Sequence, residues 1–162
     1  MITDATVVVP MFNEAAAIAP VVASLRAHFK HIVCVDDGSA DACATLARDA
    51  GAVVVRHGVN LGQGAALQTG FEYALRRPEC DFVITFDGDG QHHANDAVAM
   101  LGRARAEELD VVLGSRNLGA TSGQPLTRRL VLPLGTARLP ARRGSRESQK
   151  AVKRGGHASI MP

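Results

Sequence analysis

The stretch "VITFDGDGQHH", Val83–His93, decides how the rest of the chain is read. Val83 to Phe86 suit a buried strand. The strand then runs into two aspartates, two glycines, a glutamine and two histidines. Asp-Gly pairs favour turns, so Asp87-Gly88-Asp89-Gly90 can be a plain acidic turn. It can also be a hard oxygen site. In an extended segment side chains at i and i+2 point the same way, and Gln91 prolongs that spacing. Two carboxylates and an amide oxygen suit Mg2+ or Mn2+, with positions left open for phosphate oxygens. Gly88 and Gly90 would let a ligand approach the backbone closely. Taken alone, the stretch leaves both readings open. His92 and His93 read as surface groups, or as groups that orient a phosphate or Gln91, rather than as metal ligands.

Working outward, four further apolar runs have the same form. Residues 5–9 (ATVVV) read as a buried strand stopped by Pro10, and 31–35 (HIVCV), 52–56 (AVVVR) and 110–115 (DVVLGS) read alike; the opening stretch completes a strand over 81–86. Between them lie helical patterns. The first is expected to begin near Glu14 with Asn13 as its cap, followed by Ile18, Val21, Val22, Leu25 and Phe29 at helical spacing. Helices are also expected over 41–50, stopped by Gly51, over about 65–77, and over 94–108. The order βαβαβαβαβ with short continuous apolar strands predicts an α/β fold: a mostly parallel, Rossmann-like sheet with helices on both faces.

In such sheets ligands bind at the carboxyl ends of the strands. The polar clusters follow the strands: Asn13-Glu14, Asp36-Asp37, Asn60 to Gly64, Asp87 to Gln91, and Arg116. This shared edge moves the reading of Asp87 and Asp89 toward the metal site. Asp36 and Asp37 can cap the helix at 41–50 or accept bonds from a base N–H or a ribose hydroxyl. "NLGQG" (60–64) offers backbone N–H groups at a helix start, which can hold anions. No GK[ST] follows it and the first strand–helix junction lacks glycine, which disfavours P-loop and nicotinamide sites.

Composition narrows the classes. Apolar residues make up 46% of the 162 and charged ones 21%, ordinary for a globular domain. With no Trp and one Tyr, stacking platforms are scarce, and no nucleic-acid partner is expected. Cys34, Cys43 and Cys80 have no CxxC spacing, which fits a reduced, cytoplasmic setting. "MITDAT" lacks the basic and apolar regions of a secretory signal, and no run approaches the roughly 18 apolar residues of a membrane span. The charge is uneven. Residues 1–127 carry nine Lys+Arg against fifteen Asp+Glu, a balance of −6; residues 128–162 carry nine against one, a balance of +8. Beyond about residue 133 periodicity fails, and the expectation is a basic tail over 133–162 with weak or no order, after a domain over 1–132.

As a set, "VVVPMFNE", "VCVDDGSAD", "NLGQGAALQTG", "FDGDGQHH" and "VVLGSR" resemble family 2 glycosyltransferases, most closely the branch of polyprenyl-phosphate (dolichyl-phosphate) sugar synthases. The resemblance covers about residues 5–129. It implies a GT-A fold, a nucleotide-diphosphate sugar donor, a divalent metal (Mg2+ or Mn2+) and a polyprenyl phosphate acceptor, reached peripherally at the inner face of the membrane. Pro10, Phe12 and Glu14 would line the nucleoside pocket with Asp36 and Asp37, and Asn60 and Gly62 would join the donor site. Asp87, Asp89 and Gln91 would match the metal and diphosphate site. Arg116 would lie near the acceptor or the diphosphate, and Arg128 and Arg129 near the acceptor phosphate. Gln63 departs from the pattern, since many relatives carry Lys there.

The implied chemistry is displacement at the anomeric carbon with inversion. An alcohol acceptor needs a general base. A phosphate acceptor is already anionic and needs guidance by cations instead. After residue 116 the one carboxylate side chain is Glu147, which favours the phosphate version. Members of the family continue well past "PLTRRL", so a GT-A fold incomplete at its C-terminus, truncated or frame-shifted, is expected. Two alternatives stand beside the active transferase: a donor-binding domain without turnover, and, more remotely, a sugar nucleotidyltransferase. The latter is disfavoured because the first strand lacks a glycine-rich, basic loop for a triphosphate.

Overall fold

The computed structural model describes residues 1–114 and the backbone of 135–138 and 158–161. Along the chain these form β1 (Ile2–Met11), α1 (Ile18–Arg26), β2 (Phe29–Asp36), α2 (Cys43–Asp49), β3 (Val53–Arg56), α3 (Gln63–Leu75), β4 (Phe82–Thr85), α4 (Ala94–Ala106), β5 (Val111–Gly114), β6 (Gly135–Arg138) and β7 (Ala158–Met161). They build one sheet in the order β3-β2-β1-β4-β6-β5-β7. Strands β3, β2, β1 and β4 pair in parallel, β6 runs antiparallel between β4 and β5, and β7 pairs parallel with β5. The sheet is therefore α/β and mostly parallel, as expected. Strands β6 and β7 fall in the segment where the sequence shows no periodicity, and they were not foreseen.

Alternation along the strands sets the layers. Val7, Val9, Ile32, Cys34 and Ile84 face one side and pack with Ile18, Val22, Leu25, Met100 and Leu101 from α1 and α4. Val8, Val33, Val35 and Val83 face the other side and meet Ala66 and Ala74 of α3. Each fully buried aliphatic side chain of this kind contributes on the order of 2 kcal/mol. Helix α3 approaches β1 closely because Gly70 has no side chain. A Cβ placed there would come 2.2 Å from Val8 Cγ1.

Two local expectations fail for physical reasons. Pro10 does not stop β1, which runs on to Met11 in register with Asp36 of β2. Met11 O accepts from Asp37 N–H on the β2 side, and Val8 O accepts from Phe86 N–H on the β4 side. Pro10 therefore faces the β4 side, beyond the last β1–β4 pair at Val8 and Thr85, where no N–H is required of it. Asn13 does not cap α1, which starts at Ile18 without a side-chain cap. Asn13 instead takes a left-handed φ of 56°. Its N–H donates to Ser39 Oγ and its Oδ1 accepts from Ala40 N–H, which ties the β1–α1 turn to the β2–α2 loop. Gly51 does follow α2 as foreseen, with φ 97° just past its C-cap. Among the described residues no helix is long and apolar enough to cross a membrane.

Candidate functional site

From β1 the chain winds outward through β2 to β3, then returns across β1 to β4. The loops after β1 and β4 consequently diverge and leave a crevice at the carboxyl edge, where open α/β sheets bind ligands. A cleft of about 520 Å³ lies there. Pro10, Met11, Phe12 and Glu14 line it from the end of β1, and Asp37 from the end of β2. Asn60, Gly62, Gln63 and Ala66 come from the loop and first turn of α3, and Asp87, Gly88 and Asp89 from the end of β4. Of the residues singled out in the sequence, the structure thus gathers Pro10, Phe12, Glu14, Asp37, Asn60, Gly62, Asp87 and Asp89 around one space. Asp36 sits beneath it rather than on its lining. Arg116, Arg128 and Arg129 lie outside the described residues, as does nearly all of the expected 133–162 tail.

Among the described residues, the charged ones on this lining are Glu14, Asp37, Asp87 and Asp89, all acidic. Glu14 registers the crowding. Burial, and then the charges of Asp89, Asp41 and Asp87, hold its carboxyl above the usual range. Such a cleft repels a bare diphosphate and attracts a cation.

The two acidic strand ends are built differently. Asp37 is buried, and its oxygens are used by the protein. Its Oδ1 accepts from Leu61 N–H at 2.9 Å and lies 2.7 Å from His57 Nδ1; its Oδ2 accepts from Gly62 N–H at 2.7 Å. Burial alone would raise its pKa, but these donors outweigh it and hold the carboxyl below the ordinary carboxylate value. The N–H groups of Leu61 and Gly62, which the sequence suggested as an anion cradle, are therefore spent on Asp37. Asp36, fully buried, accepts from Ser39 N–H through Oδ1. Its Oδ2 lies 3.0 Å from Arg56 Nε. That N–H is not aimed at the oxygen, so Oδ2 is paired by charge without a hydrogen bond.

At the other end, β4 stops at Thr85 and the chain turns through Gly88 and Asp89. Gly90 takes a left-handed φ of 77°, and Gln91 N–H donates to Asp89 Oδ1 at 2.9 Å. The extended geometry assumed for Asp87, Asp89 and Gln91 is therefore replaced by a turn. The turn still brings both carboxylates to the cleft, while Gln91 is not on its lining. Asp87 Oδ2 lies 3.3 Å from His92 Nε2, and Gln63 Nε2 donates weakly to Asp87 Oδ1 at 3.4 Å. Asp89 is exposed. Among the described residues no three carboxylate, imidazole or thiolate groups converge. Two carboxylates facing a crowded acidic cleft fit a cation of the Mg2+ type, which fills its shell with water and phosphate oxygens.

Sequence reasoning passed over His57. Its Nδ1 meets Asp37 and its Nε2 lies 2.9 Å from Thr69 Oγ1, so it fastens the loop before α3 to the helix itself. Spacing carried no sign of this, since the contact partners lie 20 and 12 residues away. Met11 and Ala66 were likewise unread as lining residues, whereas Gly88, read as a place of close ligand approach, does line the cleft.

Comparison with known proteins gives the family and the fold. The profile described as Glycosyl transferase family 2 matches residues 6–156. An uncharacterized protein of Methanocaldococcus jannaschii is 40% identical over 128 residues, which cover 76% of this chain and 52% of that protein. Dodecaprenyl-phosphate galacturonate synthase of Rhizobium johnstonii is 34% identical over 128 residues, covering 70% of this chain and 36% of that enzyme. The chain thus spans about half or less of the length of these relatives. Glucosyl-3-phosphoglycerate synthase from Mycobacterium tuberculosis, solved with Mn2+, UDP-glucose and phosphoglyceric acid, superposes with a TM-score of 0.61 at 21% identity, over 83% of this chain and 56% of that one. At that identity the likeness speaks for the fold.

Proposed function

The chain belongs to glycosyl transferase family 2, and from that premise we propose that its cleft holds a nucleotide-diphosphate sugar together with Mg2+ or Mn2+, for transfer of the sugar to a polyprenyl phosphate. The observation that carries the proposal is that, among the described residues, every charged side chain around a crevice at the switch point of the sheet is acidic. A diphosphate can enter such a space only with a cation to separate it from the carboxylates.

Within this reading each side chain has a task. Asp87 and Asp89 would hold the cation, with Gln91 next to them in the same turn. When bound, the cation would supply Lewis-acid stabilisation to the departing diphosphate. Phe12, 45% exposed at the cleft, offers an apolar face to a base. Asp37 fixes the loop from His57 to Gly62 and presents its remaining acceptor capacity to the nucleoside. Asn60 Oδ1 accepts from Gly62 N–H at 3.0 Å and stiffens the same loop. Arg116, Arg128 and Arg129 are proposed for the acceptor phosphate, which needs cations to guide it and no general base. The names of relatives such as the Rhizobium synthase support the acceptor class. Inversion is proposed because a phosphate oxygen can attack the anomeric carbon directly, opposite the departing diphosphate. An acceptor carried by a membrane lipid places the working chain at a membrane surface.

Calorimetry with nucleotide-sugars, with and without Mn2+, tests the donor site. Binding that needs Mn2+ and disappears in Asp89→Ala is expected. Binding that ignores both the metal and the substitution would sink the proposal. Incubation with polyprenyl phosphate and a labelled donor then separates a transferase from a domain that binds a donor without turnover.

A further inference from the structure

If the cleft is a donor site, as proposed above, the base it accepts is decided at Asp37. An ionised carboxylate offers about four acceptor positions and no donor. Asp37 is held ionised by its neighbours, and three positions are already filled: Leu61 N–H and the His57 ring on Oδ1, Gly62 N–H on Oδ2. Among the described residues nothing takes the second position on Oδ2, which leaves it for a ligand. His57 is not free to swing away from Oδ1. Asp37 can only accept, so the proton of that contact is on Nδ1. The other ring nitrogen is held by the Thr69 hydroxyl, which can donate or accept as the tautomer requires.

We propose that this cleft selects a uracil base over guanine, because Asp37 has a single acceptor position to offer. Uracil presents one imide N–H on the edge that meets such a group. Guanine presents two parallel donors, which match both oxygens of an unencumbered carboxylate. Here the second guanine donor meets an oxygen whose positions are taken, and it is desolvated without a partner. A site that leaves one buried donor unpaired discriminates by about ten-fold or more. His57 is a positioning residue in this scheme: it fills the position that guanine would need.

The test is titration of the intact chain with UDP and with GDP, each with Mn2+. UDP is expected to bind about ten-fold tighter or more. In His57→Phe, which keeps a ring but gives up the Nδ1–H, the ratio of the two affinities is expected to shrink. A role confined to folding would weaken both ligands alike and leave the ratio standing. GDP binding as tightly as UDP to the unaltered chain overturns the proposal, and so does an unchanged ratio in a folded His57→Phe. If neither nucleotide binds, the donor-site reading itself fails, an outcome distinct from a preference for GDP.

Discussion

The acidic ends of β2 and β4 differ in who satisfies their oxygens. At the β2 end the protein does: Ser39 N–H and Arg56 attend Asp36, while Leu61 N–H, Gly62 N–H and His57 attend Asp37. At the β4 end the protein leaves much of the work undone. Among the described residues Asp89 is exposed, with one oxygen turned back to Gln91 N–H, and Asp87 has two contacts, of 3.3 and 3.4 Å. Two pairs of carboxylates that look alike in sequence are therefore opposite devices. One is a finished knot that shapes a loop. The other keeps its carboxylates turned to the cleft, where a cation is proposed.

The sharpest way to break this contrast is to remove one carboxylate from each end. Asp37→Ala strands the N–H of Leu61 and one side of His57, leaves Gly62 N–H to Asn60 Oδ1 alone, and is expected to cost about 3 kcal/mol of folding stability. Asp89→Ala on the exposed turn is expected to change stability by no more than about 0.5 kcal/mol. Urea denaturation of both variants measures the difference, and equal losses would erase the distinction. The pH dependence should follow with a definite sign. Because the folded-state pKa of Asp37 is depressed, its contribution is present above the unfolded carboxylate value of 3.8. It is lost as pH falls through the folded value, so the unaltered chain should lose stability in acid more steeply than Asp37→Ala.

The next effect in size belongs to the β4 end. Mn2+ together with a nucleoside diphosphate, at about a hundred times the dissociation constant, should stabilise the fold by about 2.7 kcal/mol. Asp89→Ala should abolish that gain while keeping its own baseline. Thermal melts with and without the metal make the comparison. A full ligand shift retained in Asp89→Ala would move the coordination shell elsewhere.

Removing the cation that serves the β2 end should cost less. Arg56→Ala takes away the charge facing Asp36 Oδ2 and the 2.7 Å bond from Arg56 to Ser39 O. Arg56 is largely exposed and water can partly replace it, so a loss of about 1–2 kcal/mol is expected. Asp36→Asn in the same background should recover part of it, since the buried charge is then gone. A double-mutant cycle by chemical denaturation reads this coupling.

Much of this arrangement was legible in the chain because the fold depends on coarse signals. Runs such as Val7 to Val9 and Ile32 to Val35 are buried on both faces, and each ends in polar residues at the same edge of the sheet. What escaped depends on contacts between distant loops. Asn13 carries the signature of a helix cap, yet it bonds Ser39 and Ala40, which only the adjacency of β1 and β2 brings within reach. Pro10 looked like a strand breaker because its missing N–H could be judged only once β4 was known to end at Thr85. Strands β6 and β7 pair with β4 and β5 through backbone groups, in sequences without alternation to announce them. His57 is decided by Asp37 and Thr69 together, and neither partner is predictable from spacing.

Glu14 lies between the two ends and offers the smallest and most discriminating test. Burial and the charges of Asp89, Asp41 and Asp87 raise its folded-state pKa above the ordinary 4.5. A raised pKa means a contribution fully present below 4.5 and lost as pH rises through the folded value, so ionised Glu14 is a small liability at neutral pH. Glu14→Gln should therefore be slightly more stable than the unaltered chain at pH 7 without metal, and that advantage should fade toward pH 4. A cation bound at Asp87 and Asp89 offsets the repulsion that Glu14 feels, so adding Mn2+ should also shrink the advantage. If Mn2+ leaves the gap between Glu14→Gln and the unaltered chain where it was, the cation does not sit near the β4 end, whatever its effect on overall stability.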